Sequence, residues 1–167
     1  MMCHAITALR DRSATYIIHC GDIGSPNMLD LFLILPNQHA AGFIFGNDDV
    51  GKCEPLRRRA GELGVHCFEF FGEFTMAGKA FAVVHGDDEH RLNELVSQRG
   101  HDYVLHGHTH VWRDEWIEGG SKRSVRIINP GALSDPRKDA DGLRRKTCAM
   151  LDLDTGRLER IILAEAL

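Results

Sequence analysis

Four apolar runs in this chain end in the same way. Tyr103-Val104-Leu105-His106-Gly107-His108-Thr109-His110 passes from strand formers to a glycine, then to two histidines at i, i+2. Tyr16-Ile17-Ile18-His19-Cys20-Gly21-Asp22 ends in glycine and aspartate. Gly42-Phe43-Ile44-Phe45-Gly46-Asn47-Asp48-Asp49 ends in glycine, asparagine and two aspartates. Phe81-Ala82-Val83-Val84-His85-Gly86-Asp87 ends in histidine, glycine and aspartate. Short apolar runs bounded by turn residues read as buried strands. In open α/β sheets, ligands bind beyond the carboxyl ends of the strands. Four strand ends carrying imidazole, carboxylate and amide groups therefore point to one shared site for a polyvalent metal ion. Two geometries are open for His108 and His110. A continuing strand would send both to one face. A turn after Gly107 would let the backbone crowd a ligand while the histidines reach it from a loop.

Between these runs the pattern alternates. A helix is expected over 2–12, with Ile6 and Leu9 inward. Ser25-Pro26 is a helix start, with proline at the first helical position, and the helix runs over 26–35. Glu54-Pro55 opens a helix to Leu63, with Leu56, Ala60 and Leu63 on one stripe and Gly64 as its C-cap. Arg57, Arg58 and Arg59 read as a solvated face of that helix. Residues 66–84 read as short antiparallel strands rather than a strand–helix–strand unit. A helix over 88–99 follows, with Leu92, Leu95 and Val96 on one stripe. Strands are expected at 111–117 and 124–128 around a Gly119-Gly120-Ser121 turn. A last hairpin, 147–153 with 157–163, turns at Asp154-Thr155-Gly156. A strand–helix alternation followed by a largely antiparallel half fits an α/β/β/α sandwich of two mixed sheets in one domain, 1–167.

The composition, 43% hydrophobic and 26% charged over 167 residues, is that of a globular chain able to bury a sizeable core. A net charge of −4 leaves no basic footprint for nucleic acid or an anionic membrane. The longest apolar run, Leu31 to Leu35, is far too short to span a bilayer. The five cysteines are scattered, without a C-x-x-C pair, which favours a reduced, cytoplasmic setting.

The ordered set G-D, G-N-D, H-G, G-H-T-H and I-N-P-G resembles the calcineurin-like metallophosphoesterase superfamily, and most closely its small phosphodiesterase branch. The likeness spans nearly all of the chain from Tyr16 onward. It implies hydrolysis of a small phosphodiester by a metal-activated water. It also implies a divalent ion pair, manganese first, with zinc, iron, nickel or magnesium as alternatives. Carried over residue by residue, Asp22 would bridge two metals. Asn47, His85 and His108 would complete the second site, and His110 would ligate the first. Asn47 would also touch the substrate phosphate.

Two departures stand out. The family's opening strand, which ends in D-x-H and supplies two ligands to the first metal, has no counterpart before Asp22. That leaves the first metal only Asp22 and His110, below the usual three protein ligands. Either the natural start lies upstream, the reading preferred on sequence, or the form is naturally shortened, with one metal or none instead of the family's two. A neighbouring chain in a homo-oligomer, or a rearranged edge, could then satisfy the backbone groups left over. The second departure is Asp48, which stands where many members carry the histidine taken as general acid. The same branch includes a retromer subunit, so a non-catalytic scaffold is the rival reading. Among the other histidines, His19 reads as half-buried beside the site and His106 as structural. His4, His39, His66, His90 and His101 read as surface residues. Asp49 and Asp87 read as turn or cap residues.

Overall fold

The computed structural model describes residues 1–120 and 123–163; Ser121 of the expected turn lies outside them. The chain opens with helix α1 (Met2–Arg10), whose Met2, Ala5, Ile6 and Leu9 are buried. Strand β1 (Ile17–His19) follows, then a 3-10 helix over Pro26–Ile34 in place of the α-helix expected there. Its apolar residues do not recur at a 3.6 period, and only Leu29 and Phe32 are fully inward. Strand β2 (Ala41–Phe43), helix α2 (Cys53–Leu63) and strand β3 (His66–Cys67) come next. Gly64 closes α2 with φ +74°, as its place in the sequence requires.

β1, β2 and β3 form a parallel ladder, with Ile18 opposite Gly42 and Phe43 opposite Cys67. His66-Cys67 is thus the return arm of a strand–helix–strand unit, and the antiparallel reading of 66–84 is corrected at this end. Side-chain alternation cannot separate the two pairings; the crossover through α2 does. The antiparallel part begins with β4 (Phe71–Met76) and β5 (Lys79–Val84). Helix α3 (Glu89–Gln98) is capped by Asp88, which accepts a hydrogen bond from the Arg91 amide. β6 (Tyr103–Leu105), β7 (Trp112–Ile117) and β8 (Val125–Pro130) complete a five-stranded mixed sheet in the order β4-β5-β6-β8-β7. β9 (Thr147–Leu151) and β10 (Leu158–Ile162) pair as the expected hairpin.

Alternation places the layers. Ala82, Val84, Val104, Val125 and Ile127 face Leu92 and Leu95 of α3. Their neighbours Phe81, Tyr103 and Ile128 face the other way, with Leu151, Leu153 and Leu158 of the terminal hairpin packed on them. The opposite face of that hairpin, through Cys148 and Ile161, joins the core under α1, the 3-10 helix and α2. The hairpin and the β1-β2-β3 ladder therefore share one layer, mixed in direction, between helices and the five-stranded sheet. The α/β/β/α expectation holds. Among the described residues no helix is long and apolar enough to cross a membrane.

The arginines of α2 are not simply a solvated face. Arg57 forks onto both carboxylate oxygens of Glu69 at 2.7 Å and also reaches Glu54. Arg59 joins Asp30 and Glu62, both at 2.7 Å. His101, read as a surface residue, is only 12% exposed in its side chain and pairs with Glu73 at 2.7 Å.

Candidate active site

The carboxyl ends of β1, β2, β5 and β6 meet on one side of the molecule. Gly21 and Gly46 make the approach possible. Gly21 has φ +98°, and a Cβ there would sit 2.3 Å from His85 Nδ1. A Cβ on Gly46 would sit 2.1 Å from Asp22 Oδ1. Asp22 itself takes φ +60°, which turns the chain out of β1 and aims the carboxylate back at the neighbouring strand ends.

Four of the five predicted side chains come together. His85 Nε2 lies 3.1 Å from Asp22 Oδ2 and 3.2 Å from Asn47 Oδ1. His108 Nδ1 lies 3.0 Å from the same Asn47 oxygen. The fifth, His110, lines the same cavity of about 180 Å³ as Asp22, His85 and His108, but its Nδ1 turns to the Asp135 carbonyl at 2.7 Å. The chain does not continue as a strand after Gly107. His108 and His110 both adopt left-handed backbone, φ +61° and +58°, so the turn is the geometry adopted. Each such residue costs about 1 kcal/mol, which the surroundings must offset.

The offset comes largely from Asn129, a fully buried residue of the I-N-P-G run. Its amide nitrogen donates to the Gly107 carbonyl at 2.7 Å and to Thr109 Oγ1 at 3.0 Å. Its oxygen accepts from the Gly131 amide at 3.0 Å. On the other side of the site, Asp49 is 0% exposed. It accepts from the amides of Ile23, Gly24 and Gly46 at 2.8–3.1 Å. One carboxylate thereby clamps the turn bearing Asp22 to the turn bearing Asn47. The sequence reading made Asp49 a turn or cap residue; its partners lie 25 and 26 positions away as well as three, which no local pattern discloses. Asp48 plays a similar part. Its amide donates to Asp22 Oδ1 at 3.0 Å, and its carboxylate accepts from the Asn47 amide nitrogen at 3.1 Å. That contact turns Asn47 Oδ1 toward the histidines.

Tautomers follow from these partners. His85 Nδ1 lies 2.7 Å from the Cys20 carbonyl, which can only accept, so the ring proton is on Nδ1. In the neutral ring, Nε2 then presents a lone pair to a carboxylate oxygen and an amide oxygen, both acceptors. Those oxygens lie 3.1 and 3.2 Å from that nitrogen, and a mixed nitrogen and oxygen donor set of this kind could hold a divalent cation. A carbonyl locking the far nitrogen is also the usual arrangement behind a metal-ligating histidine. Among the described residues no three His, Cys, Asp or Glu side chains are grouped as a metal cage; the set here includes the Asn47 amide.

Behind the site, burial pushes His19 down to about 4, against the opposing pull of Asp49 and Asp22. Burial also pushes His106 down to about 4, helped by the Arg113 charge. Both rings are therefore neutral near pH 7. Burial raises the Cys20 thiol to about 12, which rules it out as a nucleophile.

A model of the calcineurin-like phosphoesterase superfamily domain matches residues 2–156. The chain belongs to that superfamily. No curated protein matches it. Among solved structures, an archaeal phosphodiesterase is similar over 97% of this chain and 91% of its own, at 24% identity and a TM-score of 0.81. YfcE, a phosphoesterase from E. coli, is similar over 98% and 92%, at 15% identity and a TM-score of 0.65. Vacuolar protein sorting 29 from Cryptosporidium parvum is similar over 93% and 86%, at 17% identity and a TM-score of 0.52. At these identities the structural likenesses speak for the shared fold.

Proposed function

We propose that this phosphoesterase-superfamily chain hydrolyses small phosphodiesters with one divalent cation, manganese first, held by Asp22, Asn47, His85 and His108. The observation that carries this reading is His85 Nε2, whose lone pair faces Asp22 Oδ2 and Asn47 Oδ1 while its proton is held by the Cys20 carbonyl. A bound cation would neutralise phosphate charge and lower the pKa of water into the neutral range. The chain's own residues do the rest. Asp48 holds the Asn47 amide with its oxygen inward, and Asn47 is exposed, where it can meet a phosphate oxygen. His110, with its proton on Nδ1 toward Asp135, keeps Nε2 free to face the same cavity. We read the chain as one domain, with five free thiols that suit a reducing, cytoplasmic setting.

Turnover of a chromogenic phosphodiester with added manganese tests this. Asp22→Ala and His108→Ala should each lower it by about 100-fold or more. Equal turnover in parent and variants would remove the site from the reaction. The rival scaffold reading is favoured by the thin ligand set on the His110 side. It predicts manganese binding by calorimetry with no turnover.

A further inference from the structure

Phe70 is an aromatic ring held out into solvent beside the candidate site. It is 55% exposed, while Phe45, the ring it meets edge-on at 5.3 Å between centroids, is fully buried. Phe70 lies where the chain leaves β3 and crosses to β4, and a strand that ends in the site runs on each side of it. On one side the Phe45 amide donates to the Glu69 carbonyl at 2.6 Å, and Phe45 leads directly into Gly46-Asn47. On the other side β4 pairs with β5, Phe71 opposite Val84, so one further step along that register sets Phe70 beside His85. Residues opposite one another in an antiparallel pair share a face. Phe70 is thus flanked by the two strands whose Asn47 Oδ1 and His85 Nε2 lie 3.2 Å apart.

The backbone that presents this ring is held in place. Glu69 takes left-handed backbone, φ +61°, a conformation that a non-glycine residue keeps only where its surroundings enforce it. Arg57 enforces it, through two bonds of 2.7 Å to the Glu69 carboxylate. Protein partners bury contiguous apolar patches. Here the α2 side of the ring is bordered by charge instead, with the Glu54, Arg57 and Glu69 side chains 45–77% exposed. A single flat ring beside a polar centre suits a flat ring on a small ligand, stacked or edge-on. Building on the phosphodiesterase reading above, we propose that Phe70 is a specificity residue that receives an aromatic ester group of the substrate. The phosphate of the same molecule sits at Asn47. The preferred substrate class is then a phosphodiester carrying a planar aromatic group, not one with small alkyl or polyol esters alone.

Phenylphosphonate and methylphosphonate, which differ only in the group on phosphorus, are the probes. Their affinities for the full chain with manganese present are read by calorimetry. The parent should bind phenylphosphonate the more tightly. Phe70→Ala should lower the ratio of the two affinities roughly tenfold. Phe70→Leu keeps apolar bulk against Phe45, which safeguards the fold, and should lower the ratio by a smaller factor. Phe70→Trp keeps a flat ring and should hold the ratio. A parent-like ratio in Phe70→Leu and Phe70→Ala would overturn the proposal. So would a loss shared equally by both phosphonates, since Phe70 would then only brace the strand ends. If methylphosphonate did not bind the parent at all, the metal and phosphate reading would fall first and this proposal with it. The methylphosphonate arm therefore tells the two failures apart.

Discussion

The two sides of the cavity that reaches Asp22 are held very differently. On the Asn47 and His108 side, every turn is tied down: Asp49 to three amides, Asp48 to Asp22 and Asn47, Asn129 to Gly107 and Thr109. On the β1–β9 side, no backbone hydrogen bond joins the two strands among the described residues. The first side spends buried polar groups to fix side chains against their preferred backbone geometry. Tightly bonded turns and an interrupted layer therefore sit side by side in one fold, and each can be probed separately.

Amide exchange addresses the contrast most directly. The amides of β9 that face β1 should exchange by orders of magnitude faster than those of Val83 and Val84, which sit inside the five-stranded ladder. Equal protection would abolish the distinction. Asp49→Ala should come next. Three amides would lose their acceptor, two of them in buried contacts, and denaturant unfolding should show a loss of about 3 kcal/mol or more. Asn129→Asp cannot donate to Gly107 or Thr109 and should cost about 2 kcal/mol. It should also weaken manganese binding more than it weakens stability-matched controls, because the histidine turn loosens.

A smaller effect is expected from pH. His19 and His106 have folded values near 4, below the ordinary histidine value of 6.5. The unfolded chain binds protons there that the folded chain refuses. Stability should hold above about pH 6.5 and fall as pH drops from there toward 4, read as a declining melting temperature. His106→Gln should flatten that decline. The smallest effect belongs to Arg57→Ala. It breaks an exposed ion-pair fork on α2, and the melting temperature should barely move.

Much of this was legible in the sequence. The stripes Leu56–Ala60 and Leu92–Leu95, the capping Gly64 and the terminal hairpin followed from periodicity and turn chemistry, which act over a few residues. The candidate donors were legible as well, since strand, glycine and N or O ligand recurred at Asp22, Asn47, His85 and His108. The misreadings have two origins. The 3-10 helix at Pro26 lacks a 3.6-residue apolar period, while the parallel pairing of His66-Cys67 and the burial of His101 against Glu73 were decided by neighbours distant in the chain. Asp49 and Asn129 were missed as organisers for the same reason.

What the amino-acid order determines by itself is which chemical groups stand at the strand ends, and which faces of the elements are apolar. Both are properties of a handful of consecutive residues. Only the tertiary structure decides that His85 meets a carbonyl 65 positions away and an amide 38 away, which sets its proton and its lone pair. The tertiary structure alone also decides that, among the described residues, no backbone hydrogen bond joins β1 to β9. Hydrogen-bond partners are chosen by whatever the folded chain brings within about 3 Å, and that choice is made across the whole molecule.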